Sequence, residues 1–304
     1  MKFVKENKKG GKMKKFLYYI TAVIVAVCSF SFLGCNGDNN QGSGGGAGNE
    51  LTNVDNIKAQ TIATANDFNY TESGGKITIQ SLKNESLTSF EIPSKIDGKD
   101  VTTIASQAFG KQQTPNETIT FIRLPSTITT INTLAFVNCY ALKNIDLNEG
   151  ITTIGISAFM NCKALEQINL PNSLTELSQY AFSSCESMKK VKFPTNLTKI
   201  GDNCFANCYK LNNVILPSTV TTLGEKVFQS CAQLTNIVLP AGVTMGANVF
   251  MSDVNLKTIY YLGTSAQWNS TTNRPTSSGI TVLYYSNSQT TGGWRYVNNV
   301  PTAW

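Results

Sequence analysis

No histidine occurs among the 304 residues. That absence removes the commonest general base and the commonest metal ligand. Ser-His-Asp and Cys-His nucleophile systems therefore cannot be assembled from this chain. No phosphate-cradling glycine motif is present either: GSGGGAG lies in a low-complexity stretch with no strand before it and no helix after it. Charge of one sign is also scarce once its location is considered. The formal net charge is +6, but residues 1–34 hold seven lysines (Lys2, Lys5, Lys8, Lys9, Lys12, Lys14, Lys15) and one acid, Glu6. The remainder carries 18 basic and 18 acidic side chains, which removes the electrostatic argument for nucleic acid. An enzyme could only be a carboxylate hydrolase, and the acids are scattered rather than paired about a cleft. The expectation is a non-enzymatic protein with no cofactor and no metal.

The one long apolar run is FLYYITAVIVAVCSFSFL, after the lysines and before Gly34-Cys35. Basic segment, apolar segment and small-residue boundary together have the form of a secretory signal. Met13 begins a second possible start, MKKF. The stretch ending at Cys35 resembles the lipobox of bacterial lipoproteins, with Phe32 where leucine is usual and Leu33 following. That resemblance implies diacylglyceryl attachment at Cys35 and cleavage before it. The alternative is an uncleaved membrane helix over 16–33, at the lower edge of a span. Asn36 to Glu50, NGDNNQGSGGGAGNE, cannot bury enough apolar surface to fold and reads as a tether spanning about 20 Å on average. Either way the bulk is expected outside the cytoplasm, held at a membrane.

Beyond the tether the chain is periodic. Phe136, Phe159, Phe182, Phe205 and Phe228 are 23 residues apart; Phe250 follows after 22, and Phe109 precedes after 27. A small or apolar residue stands before each one: Ala108, Ala135, Ala158, Ala181, Cys204, Val227, Val249. Three residues after the central five come Cys139, Cys162, Cys185, Cys208 and Cys231, and then L-x-x-I-x-L-P, as in LEQINLP at 165. Periods of 20–29 residues with this core indicate leucine-rich repeats, in which each coil buries its apolar face only by stacking on its neighbours. The strand period of two sends Ile168 and Leu170 inward and leaves Gln167 and Asn169 outward. Pro171 ends the strand because it has no N–H for the ladder. The T-x-I segment after the proline is a candidate second short strand.

Cysteines in an exported chain invite a disulfide reading. Here equivalent positions in successive coils lie about 4.8 Å apart and point the same way, a direction that opposes cross-linking. Five members cannot pair completely, and a straight column offers zinc no convergent ligands. The structural cysteine column is expected as free, buried thiols, with disulfides and metal as the alternatives.

Gln112 and Asp253 occupy the cysteine position at the two ends, marking the first and last coils. The segment before reads as short strands with Gly-Gly and Asp-Gly turns. The segment after holds all three tryptophans, with ITVLYY as a strand and WRYV as its hairpin partner. On G-x-x-A-F-x-x-C-x-x-L-x-x-I-x-L-P, best seen as GISAFMNCKALEQINLP over 155–171, the chain resembles the BspA-like bacterial leucine-rich-repeat surface proteins. The opening F-x-Y and I-P-S-x-I-x-G-K-x-V phrases and the closing YYS…W-R-Y-V…P-T-A-W agree with them. The resemblance covers about 67–304. It implies a β-rich leucine-rich-repeat solenoid of 23-residue repeats with N-terminal and C-terminal β caps, exported, often lipid-anchored, in some members adhesive toward host proteins. The organisation expected is a lipoprotein signal peptide over 1–34, acylated cysteine and tether over 35–66, N-terminal cap and first coil over 67–118, repeats over 119–258 and C-terminal aromatic cap over 259–304.

Repeat proteins bind through the exposed residues of the strand sheet, because the core dictates the rest. One outward column reads Arg123, Asp146, Asn169, Lys192, Ile215, Val238, Tyr260. Its companion reads Phe121, Asn144, Gln167, Lys190, Asn213, Asn236, Thr258. The candidate ligand-binding residues are Phe121, Arg123, Asp146, Asn169, Lys190, Lys192, Ile215, Val238 and Tyr260, for extracellular or host protein. Ile215, Val238 and Tyr260 outward together mark a contact surface, or else the C-terminal cap covers them. A rival site is the aromatic cluster of Tyr260, Tyr261, Trp268, Tyr284, Tyr285, Trp294, Tyr296 and Trp304, as a stacking platform for glycans in an envelope lipoprotein. The alternative for those rings is an edge plug with polar handles.

Overall fold

The computed structural model describes residues 61–286, 291–297 and 300–303. The leader, Cys35, Trp304 and the tether up to residue 60 lie outside the described residues. Contacts separate a unit over 53–285 from a second that includes 286–304.

The unit over 53–285 is a β-solenoid, and each coil contributes two strands. L-x-x-I-x-L forms a three- or four-residue strand: Phe121–Arg123, Asn144–Asp146, Gln167–Asn169, Lys190–Lys192, Asn213–Ile215, Asn236–Leu239 and Thr258–Tyr261. The T-x-I segment does form a second, shorter one, such as Thr153–Ile154 or Lys199–Ile200. Pairing from coil to coil is parallel and in register, Asn213 with Asn236 and Asn236 with Thr258. A third backbone ladder runs through the turns. Phe136 N–H donates to Ala158 O at 2.8 Å and Phe159 N–H to Ala181 O at 2.8 Å, so the turn also repeats its hydrogen bonds along the axis.

The first sheet begins at Thr61–Ile62, which pairs with Phe90 and Glu91, so the segment expected as tether is already strand by Thr61. Phe68–Ser73 and Lys76–Leu82 form the N-terminal hairpin around Gly74 and Gly75, both at positive φ, and Lys76–Leu82 joins the second sheet beside Lys99–Ile104. At the other end Thr281–Tyr285 adds a parallel strand to Thr258–Tyr261. Between them lies a six-residue helix, Ser265–Ser270, closed by a Thr264–Gln267 capping box, where no helix was expected. In the second unit Gly293–Val297 pairs antiparallel with Val300–Ala303.

The core is a set of columns. Phenylalanine rings from Phe109 to Phe250 stack nearly parallel, with Phe136 and Phe159 centred 4.9 Å apart and Phe228 and Phe250 6.0 Å apart. Leu142, Leu165, Met188, Leu211 and Leu234 form a second column, fully buried. The six cysteines described are buried and free. Each member of the cysteine column donates its thiol to the carbonyl 26 or 30 residues back, as Cys162 Sγ to Phe136 O and Cys185 Sγ to Phe159 O, both at 3.3 Å. The thiol thus fills a small apolar site while adding a second donor to a carbonyl that already accepts a hydrogen bond within its own coil.

Two departures from strict alternation matter. Gln167 is buried, although its parity sends it outward; it lies in a row between Asn144 and Lys190, where lateral neighbours about 4.8 Å away cover it. The first sheet is also not one continuous ladder. It is interrupted between Asn144–Asp146 and Gln167–Asn169, and again between Lys190–Lys192 and Asn213–Ile215. At the second break Phe193 stands where other coils have Leu170 and Leu216, and its ring meets Phe205 edge-on at 5.7 Å. The bulkier ring coincides with the strand losing its next partner.

Candidate functional site

The outward rows of the first sheet divide into three stretches. At the start, Arg123 donates through Nε to Asp146 Oδ2 at 2.7 Å and reaches Glu91 at 3.9 Å. Its guanidinium also lies 5.8 Å from the centre of the Phe121 ring. Phe121 was expected as an exposed contact residue and is instead 4% exposed, because the arginine lies over it and strands flank it on both sides. Arg123 and Asp146 are half-buried and mutually bound.

In the middle, Asn169 is half-buried, and its Oδ1 has no hydrogen-bond partner among the described residues. Lys190 is half-buried and Lys192 exposed, in register with Gln167 and Asn169. Two neighbours absent from the expected site belong here: Lys189 donates to Glu166 Oε2 at 2.9 Å. That hydrogen bond above all, with the charges of Lys189, Lys210 and Lys143 adding less, holds the Glu166 carboxyl below its usual range against the opposing effect of burial. Burial, then the charge of Lys189, pushes the Lys190 ammonium down. The signal for Lys189 was in the run KKVK, but its parity placed it off the outward rows.

At the end, Asn236 Nδ2 donates to Asn213 Oδ1 at 3.1 Å, an amide step along the axis. The apolar row beside it is Ile215, Val238, Tyr260 and Leu283, each in register with the next. Val238 is 2% and Tyr260 6% exposed, which corrects the expectation of an open apolar patch. Ile215 and Leu283 remain half-buried, so the row shields its middle members by lateral packing.

The glycan platform loses four of its eight rings, Tyr260 among them, to burial. Tyr261, Trp268 and Trp294 are buried, and Tyr261 and Trp268 meet at 5.1 Å. The Tyr261 hydroxyl accepts from Gly242 N–H at 3.0 Å, the polar handle of an edge plug. Tyr285 and Tyr296 keep partial exposure. A groove of about 460 Å³ on the turn side is lined by Leu134, Val137, Met160 and Tyr180 with Asn138 and Asn161. Two of its amide donors are already engaged, Asn138 with the carbonyls of Lys111 and Gln112, and Asn161 with Asn138 Oδ1. Among the described residues no group of three or more Cys, Asp or Glu is arranged to hold a metal ion.

With this geometry in view, the comparisons are informative. The profile of the BspA type leucine rich repeat region matches in six copies, over 75–183, 102–231 and 152–274. The chain is similar to the leucine rich repeat protein TpLRR of T. pallidum at 28% identity, covering 65% of this chain and 81% of that one, with a TM-score of 0.47. A leucine-rich repeat protein of Bacteroides ovatus is 26% identical over 64% of this chain and 69% of that one, TM-score 0.34. A leucine rich cell surface protein of Faecalibacterium prausnitzii is 16% identical over 72% and 99%, TM-score 0.38. No curated protein matches the chain.

Proposed function

The chain belongs to the BspA-type leucine-rich-repeat family, and from that premise we propose that it is a non-enzymatic lipoprotein of the cell surface that binds extracellular protein through the first sheet. Proteins of this family are typically surface-associated in bacteria, and repeat solenoids of this kind are generally non-enzymatic. The observation that carries the reading is the contrast between columns. The inward columns stay apolar from coil to coil through the central repeats, whereas the outward rows change from Arg123 and Asp146 through Lys190 and Lys192 to Asn213 and Asn236. Packing demands repetition, and a surface that departs from it along a regular scaffold is free to be shaped for a partner. Anchoring through Cys35 rests on the lipobox resemblance. Among the described residues no helix is long and apolar enough to cross a membrane.

The test joins location to the sheet. Protease shaving of intact cells is expected to release peptides from 119–258. Purified full chain is expected to capture extracellular-matrix proteins and to lose that capture when Asn144, Lys192 and Asn213 are changed together to alanine. Protection from protease until the envelope is opened, or capture unaltered by the triple change, overturns the proposal.

A further inference from the structure

Within the first sheet one rung concentrates charge. Lys190 and Lys192 stand two residues apart on the outward face, and Lys189 adjoins them. Lys143 and Lys210 are exposed and near enough to act on Glu166, the one acid in this cluster. Nearby acids are taken up elsewhere: Asp146 by Arg123 at 2.7 Å, Glu186 by Lys163 at 3.3 Å, Glu176 by Lys199 at 3.8 Å. Lys143, Lys192 and Lys210 enter no ion pair among the described residues. Lys143, Lys189 and Lys210 thus act on the single carboxylate of Glu166, beside Lys190 and Lys192, at the place where the sheet ladder is also interrupted.

We infer that this rung, centred on Lys190 and Lys192, docks an extended acidic polypeptide segment, rich in Asp and Glu, of the extracellular partner. The inference rests on the sheet-binding function proposed above and names the chemistry of its partner. Gathered ammonium groups repel one another, and an arriving polyanion turns that repulsion into attraction. Lysine presents a point charge on a flexible stem, suited to a run of carboxylates without fixed geometry, whereas one fixed carboxylate is better held by the fork of arginine. The flanking rows carry Asn144, Asn169 and Asn213, and amides both donate and accept, as an extended backbone requires. No aromatic residue occupies the outward rows from Asn144–Asp146 to Asn213–Ile215, so the stacking surface that favours sugar rings is missing there. Charge and row composition together select polypeptide over polysaccharide.

The test uses the purified full chain and a fluorescently labelled poly-glutamate peptide, read by anisotropy at low and physiological salt. A Gly-Ser peptide and a sulfated polysaccharide serve as comparison probes. Poly-glutamate should bind and weaken with salt, by about tenfold in the Lys190→Glu/Lys192→Glu variant and severalfold in Lys192→Gln. Lys257→Glu, outside the cluster, should leave binding unchanged. If the double variant does not fold, Lys192→Gln carries the measurement. Equal binding by wild type and Lys192→Gln overturns the inference, as does lysine-dependent binding of the polysaccharide with none of poly-glutamate. Capture of matrix protein that survives lysine reversal but not loss of Asn144 and Asn213 removes this inference and leaves the function standing.

Discussion

The main-chain N–H of Cys231 donates to Oδ1 of Asp253 at 2.7 Å, so the last coil closes the cysteine column with a carboxyl where a thiol would stand. The other oxygen, Oδ2, is buried with no hydrogen-bond partner among the described residues. Burial outweighs the Cys231 hydrogen bond and pushes the Asp253 carboxyl up from 3.8 to about 8. The folded state therefore favours the protonated acid, and the stability this allows is lost as pH rises between those two values. Asp253→Asn keeps the acceptor for Cys231 and removes the charge. Its unfolding free energy from urea titration should match wild type near pH 4 and exceed it by about 1–3 kcal/mol at pH 8. A constant difference across that range would contradict the buried-charge account.

The thiols of the column are sheltered. Burial raises the thiols of Cys162, Cys185 and Cys208 well above their ordinary range, with smaller contributions from neighbouring thiols of the column. Native protein treated with a maleimide at pH 7.5 should leave these three unmodified by peptide mass spectrometry, and denatured protein should label all three. Replacing Cys185 with leucine overfills a site between stacked coils and should cost about 1–3 kcal/mol.

Gly110 sits under the next coil: a Cβ built there would lie 1.8 Å from the carbonyl oxygen of Val137. That neighbour is backbone and cannot rotate away. Gly110→Ala should lower stability by about 1–3 kcal/mol and loosen amide-exchange protection around Phe109 and Phe136. Wild-type protection in the variant would show that the first coil yields at little cost.

From Leu134 and Asn138 onward each turn of the solenoid to Asn248 and Ser252 places two residues at positive φ, and in the coil ending at Cys231 the first is Lys226, at 54°. Neighbouring coils put Asn203 and Asn248 in the same position, and asparagine tolerates this conformation better than a long unbranched side chain. Lys226→Asn should raise the thermal midpoint, by about 0.5–1 kcal/mol in stability. A drop would mean that the lysine makes compensating contacts.

The period of 23 made most of the fold legible. Ile168, Leu170, Phe159 and Cys162 were assigned inward from spacing alone and are buried, because a repeated coil offers each position the same surroundings. The T-x-I strand and the polar ends of the cysteine column followed from the same pattern. Leu134, Tyr180 and Lys226 carry no residue type that announces positive φ, so the turn geometry was hidden at those coils. Helix Ser265–Ser270 is too short to show a period, and only its Thr264–Gln267 box marks it.

The outward rows were read correctly for parity and wrongly for exposure at Phe121, Gln167, Val238 and Tyr260. Parity is a property of one strand, and Phe121, Val238 and Tyr260 each point away from the solenoid core. Whether water reaches them depends on neighbours that one strand's parity does not specify: Arg123 folds back over Phe121, and Val238 is enclosed between Ile215 and Tyr260 of the adjoining coils. The sequence by itself determined the repeat, the columns and the outward face of the first sheet, since backbone geometry converts period directly into direction. Only the tertiary structure decided which side chains on that face stay open and where its lysines converge, because exposure and field are sums over neighbours brought together by stacking.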